Sequence, residues 1–210
     1  MTGPRPSPFP RPAKPARQPE PRQPRSWRAA LVAMCGVAGL LWVIQAINAN
    51  DDYRLDRFGL EPRTAGGLWG VLTMPFLHAS YDHLLSNTVP LIAIGWVLLL
   101  AGARTWALVT ALVVIGGGAL TWLVGPSGTE IVGASAMVLG WLGYLLARAY
   151  FSRRLLWILV AVLLLLFFGT LLAGLLPTFH SDVSWQAHVC GFAVGVGTGA
   201  LLHPSRAPVS

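Results

Sequence analysis

Val132-Gly133-Ala134-Ser135-Ala136-Met137 opens an apolar segment that runs without a charge to Ala147 and meets Arg148. Gly133 to Ala147 is fifteen residues. As a helix it measures about 22 Å, shorter than a bilayer core of roughly 30 Å. If Arg148, Arg153 and Arg154 hold one end at the membrane surface, the other end stops inside the membrane. Free backbone N–H groups and a serine hydroxyl at that depth are tolerated only where they face protein or a water-filled cavity. A Gly-x-Ser turn buried in this way has the character of a reaction site rather than of a structural joint.

The surrounding composition agrees with a membrane setting. The chain has 210 residues, 54% of them hydrophobic and 11% charged, the balance of a membrane protein. Its net charge of +7 is a matter of which loops carry arginine, and it is no sign of a nucleic-acid partner. Cys35 and Cys190 both fall in apolar stretches, where buried packing is expected and no disulfide or metal site is implied.

Residues 1–28 hold nine prolines, six arginines and one lysine. So much proline blocks helix and sheet pairing, and a disordered cytoplasmic tail attracted to anionic lipid is expected there. A Pro-x-x-Pro partner of the SH3 type is the weaker alternative. The membrane domain is expected over 29–203, with a short cytoplasmic tail at 204–210. Six apolar spans are placed near 29–48, 83–101, 105–124, 133–147, 155–176 and 186–202, the first as a retained signal-anchor helix. The fold class is therefore all-α, a polytopic six-helix bundle. Short apolar pieces at Leu68–Leu72 and Pro75–Leu77, in the long first connection, are too short to span and suit the interface.

Charge sets the orientation. Six spans put both termini on one side, and that side carries twelve of the fifteen lysines and arginines. The other side carries Arg54, Arg57 and Arg63 with seven of the eight acidic residues. The positive-inside rule then makes both termini cytoplasmic and opens Ser135 to the exterior.

Polar residues inside spans are functional candidates because each is costly unless paired. Counted at 1.5 Å per residue from the cytoplasmic end, Ser135 lies at about 20 Å, His188 at about 22 Å, Asn87 at about 25 Å and His83 at about 31 Å. Ser135 needs a base, and His188 is the base at matching depth. Glu130, Asp182 and Asp82 sit at the outer boundary, so a Ser–His dyad is expected and not a triad. His83 and Asn87, at i and i+4, can donate to a developing oxyanion, with the Ser135 N–H as a third donor. Gly191, Gly195 and Gly199 recur every four residues on roughly the face of His188, a strip that permits close helix approach to Gly140 and Gly143. No His-Glu-x-x-His zinc motif, no pair of membrane aspartates and no internal repeat of a transporter is present.

With these residues in view, the chain resembles the rhomboid intramembrane serine proteases over nearly all its length after the tail. The matching motifs are Gly133-Ala134-Ser135, the run from His78 through His83 to Asn87, and Ala187-His188-Val189-Cys190-Gly191 continuing to Gly195. The resemblance implies Ser135 as nucleophile, His188 as general base and then acid, and His83 and Asn87 as oxyanion contributors. Gly133, Gly191 and Gly195 pack near the site, His78 has a structural role, and neither metal nor cofactor takes part. It further implies an endopeptidase acting on transmembrane or juxtamembrane segments of other membrane proteins, with lipid around it. The alternative is a catalytically impaired relative that binds membrane helices. Departures stand at Ala136, where a second glycine often follows the serine, and at Leu139, where an aromatic commonly packs on the histidine. Trp69-Gly70 replaces the frequent Trp-Arg of the first loop, and Ala103-Arg104 stands where a glutamate is often found. The connection from Pro177 to Trp185 and span five are the expected lid and gate.

Overall fold

The computed structural model describes residues 26–177 and 184–203. The tail expected at 1–28 is therefore outside it up to residue 25, as are 204–210 and residues 178–183 of the expected lid.

Six long helical segments occupy the places of the six apolar runs: α1 (Trp27–Asn50), α2 (Tyr81–Ala101), α3 (Ala103–Val124), α4 (Ser135–Ser152), α5 (Leu155–Leu175) and α6 (Trp185–Leu202). Four of them, α1, α2, α3 and α5, are long and apolar enough to cross a membrane. No strand occurs among the described residues, where the one extended pairing is an isolated bridge between Leu60 and Ile131. The architecture is that of an all-α, multi-pass membrane protein.

Local chemistry sets three of the six helix starts. The hydroxyls of Ser26, Ser80 and Ser184 accept from the N–H groups of Ala29, His83 and Ala187 at 3.3, 3.1 and 3.3 Å, satisfying donors that have no acceptor within their own helix. The end of α4 departs from the expected span, which stopped at Ala147. The helix continues past Arg148 to Ser152, since arginine is itself a good helix former, and the guanidinium stacks 3.8 Å over the ring of Trp157 on α5. A charge placed on an aromatic face there is compatible with burial of its stem. Arg153, at φ +50°, turns the chain out of the helix.

α4 is the centre of the bundle. Trp141, Leu142, Tyr144 and Leu145 are fully buried on it. α6 lies against it without intervening side chains: a Cβ on Gly191 would strike the carbonyl oxygen of Ala136, and one on Gly195 the carbonyl oxygen of Gly140. On the other helix, a Cβ on Gly143 would stand 2.7 Å from the carbonyl oxygen of Phe192. The glycines thus bring the two backbones into contact, as small residues do in membrane helix pairs. Midway along α3, Val113–Gly117 forms a π-helical turn, which sets Val113 against Gly140 and Gly117 against Gly191. α5 is peripheral: within its α-helical part, Leu155–Phe168, only Ala161 and Leu164 are buried.

The first connection is folded rather than open. Asn48 caps its start, its amide donating to Asp56 at 2.9 Å and its carbonyl oxygen accepting the Leu55 N–H at 3.0 Å. Arg63 donates to the carbonyls of Leu123 and Gly125 at 3.0 and 2.7 Å and to the Ser127 hydroxyl. The Trp122 indole donates to Thr64 at 2.9 Å. Arg63 therefore anchors this loop to the end of α3, while Gly70 lies so close to Leu60 that any side chain there would meet its backbone.

Candidate active site

The bridge between Leu60 and Ile131, two N–H to carbonyl bonds of 2.9 Å each, fixes the approach to Gly133. Gly133 then adopts φ +126°, a region that L side chains rarely enter. Its N–H donates to the Met74 carbonyl at 2.9 Å, and the N–H of Ala134 donates to Nε2 of His78 at 3.3 Å. A backbone N–H can only donate, so His78 accepts at Nε2 and carries its hydrogen on Nδ1. His78, fully buried in the connection before α2, is held well below the ordinary histidine range, at about 3, first by burial and then by His83. These contacts aim the chain so that Ser135 is the first residue of α4.

Ser135 Oγ lies 2.7 Å from Nε2 of His188 on α6. On its far side, Nδ1 of His188 lies 2.9 Å from the carbonyl oxygen of Gly174, in the final turns of α5. A carbonyl only accepts, so Nδ1 bears the hydrogen and Nε2 presents a bare lone pair to the serine hydroxyl. That is the protonation pattern of a general base poised on a nucleophile.

His83 and Asn87 both face the same cavity, of about 230 Å³, together with Ser135, Leu139, Gly174 and His188. Nε2 of His83 is buried with no hydrogen-bond partner among the described residues, and its ring rests against Gly133 and edge-on to His78, centroids 5.2 Å apart. The Asn87 amide donates to the His83 carbonyl at 2.9 Å. A carboxamide has two N–H donors, so one remains for the cavity. Of the residues singled out from sequence, Ser135, His188, His83 and Asn87 are thus brought together. Gly133 lies against His83 and Gly191 against Ala136, whereas Gly195 meets Gly140, further along α4 from the cavity. Leu139 is buried and lines the cavity without a polar atom. Ala136 is buried against Gly191.

Gly174 escaped the sequence reading. Its part is played by a main-chain carbonyl, which no residue type advertises.

Comparison with known proteins covers most of the chain. A family model described as the Rhomboid domain matches residues 65–205. Uncharacterized proteins of Mycobacterium tuberculosis and Mycobacterium bovis are each 36% identical over 183 residues, covering 84% of this chain and 76% of theirs. One from Mycobacterium leprae is 36% identical over 183 residues, covering 84% of this chain and 72% of its own.

Proposed function

Because the chain belongs to the rhomboid family, whose members are protease-like intramembrane proteins, we propose that it is an intramembrane serine endopeptidase. The observation that carries this reading is the 2.7 Å contact between Ser135 Oγ and the unprotonated Nε2 of His188, facing a cavity within a membrane bundle. In the proposed reaction Nε2 takes the Ser135 proton as Oγ attacks the peptide carbonyl. The negative charge that develops on the carbonyl oxygen is met by the spare donors of His83, Asn87 and the Ser135 N–H. His188 then returns the proton to the departing amine, leaving an acyl group on Ser135. A water activated by the same nitrogen releases the second product and restores the hydroxyl. The substrates are transmembrane or juxtamembrane segments of other membrane proteins. The arginine distribution supports cytoplasmic termini and a site open to the exterior.

The test is cleavage of a labelled membrane substrate by purified protein in detergent. Ser135→Ala and His188→Ala are expected to lower kcat by about 10⁴ or more, the loss typical of removing one member of such a unit. Cleavage at the parental rate by either variant would refute the assignment and leave a helix-binding relative without peptidase activity.

A further inference from the structure

His188 is gripped at both ring nitrogens, yet only one grip belongs to a side chain. The other is the carbonyl of Gly174, in the 3-10 turns Gly169–Leu175 that close α5. From this geometry we infer that Gly174 is a positioning residue, whose main-chain carbonyl holds His188 ready for Ser135 and makes that readiness depend on α5 being seated against α6. The inference rests on the protease reading above and adds to it a structural condition for activity.

Three observations support it. The bond selects one tautomer, because a carbonyl oxygen accepts a hydrogen from Nδ1 and cannot supply one. The site is built for glycine: a Cβ on Gly174 would stand 2.8 Å from Nδ1 and 3.2 Å from Cε1 of His188. No carboxylate hydrogen-bonds to His188 among the described residues, and Leu139 offers the ring no polar atom. Released from Gly174, the imidazole is free to carry its hydrogen on Nε2, where it can no longer accept the serine proton.

The attachment of α5 gives this contact its consequence. The 3-10 turns contain no buried residue, and the helix before them buries only Ala161 and Leu164. Leu171, Leu172 and Leu175 of the turns pack half-buried against the core, so displacing α5 gives up that packing and breaks the bond to His188 with it.

The experiment compares the rate at which a small fluorophosphonate labels Ser135 in the parent, Gly174→Ala and Gly169→Ala, with thermal unfolding of each in detergent. A Cβ on Gly169 meets nothing within 4 Å, so this variant stiffens the same turns without touching His188. Gly174→Ala is expected to label roughly tenfold slower at an unchanged midpoint, a part of the about 10²–10⁴ that a positioned base contributes. Gly169→Ala is expected to label at the parental rate. The probe is small enough to enter without moving α5, so a role as lid alone would leave its rate unchanged. Nitrogen-15 NMR of histidine-labelled parent protein gives a second readout, independent of how the variants fold: His188 is expected to be protonated on Nδ1 and bare on Nε2. Parental labelling of a stable Gly174→Ala, or a hydrogen on Nε2 in the parent, overturns the inference. A parent that labels not at all instead refutes the protease reading, and the NMR tautomer still decides the Gly174 contact.

Discussion

The imidazole of His83 lies against the bare Cα of Gly133: a Cβ there would stand 2.7 Å from Cε1 and 2.8 Å from Nε2. The glycine does two things at once, since φ +126° also excludes most side chains. Gly133→Ala is expected to displace His83 and to lower kcat by about 10² or more, on the scale of losing one oxyanion donor. Gly128→Ala separates the two effects, because Gly128 has φ +72° but open space around it. That change should cost only the backbone strain of about 1–2 kcal/mol, read as a lower unfolding midpoint with kcat retained.

His83 and Asn87 are expected to differ in weight. His83 has a buried Nε2 with no partner among the described residues, whereas Asn87 already donates one hydrogen to the His83 carbonyl. His83→Ala should lower kcat by about 10²–10³ with KM little changed. Asn87→Ala should lower it about tenfold, equivalent to roughly 1.4 kcal/mol. Steady-state cleavage assays on both variants check the order, and equal losses would contradict it.

Packing of α6 on α4 yields a contrast between neighbours. Gly195 faces the Gly140 carbonyl, while a Cβ on Gly197 meets nothing within 4 Å. Gly195→Ala forces the helices apart and should destabilise by about 1–3 kcal/mol, the usual cost of overpacking. Gly197→Ala should leave the unfolding midpoint in detergent unchanged or slightly raised.

Acid should weaken the fold through His78. Burial holds this group at about 3 when folded, against 6.5 as its ordinary value. Above pH 6.5 both states are neutral and His78 contributes no pH dependence. Between these values the unfolded chain takes up a proton that the folded chain refuses, so stability falls as pH falls across that window. Below about 3 both states are protonated and the loss is complete. Unfolding midpoints measured from pH 7 to pH 4 should drop, and His78→Gln should flatten the slope. Glutamine keeps an acceptor for the Ala134 N–H without a titrating group.

Much of this arrangement can be read from residue order alone, for reasons particular to membranes. Uninterrupted apolar runs mark the helices, and a polar residue within one is conspicuous at a depth countable from its charged end. Ser135, His188, His83 and Asn87 stand out in that way, and the glycines of α6 announce a close approach. Arg148 misleads because its charge looks like a helix end, while Trp157 accommodates it within the helix. The first connection was harder to read, since Arg63, Thr64 and Trp122 tie it to α3 across about sixty positions of sequence. Gly174 was out of reach altogether, its acceptor being common to every residue.

The π turn at Val113–Gly117 carries one more residue than an α-helical turn closed by i→i+4 bonds. Removing a single residue there would return α3 to regular α-helix with the residues beyond the cut on nearly the same face, because the π turn already accommodates the extra residue. The same deletion in an α-helical part of α3 would rotate everything beyond it by roughly 100°. In that second case Trp122 would swing away from Thr64, and the loop leading to Gly133 would lose that tether. Single-residue deletions should therefore disturb the far end of α3 less within Val113–Gly117 than in the α-helical turns on either side, however apolar the remaining residues are. This half of the molecule is sensitive to residue count as well as to residue kind.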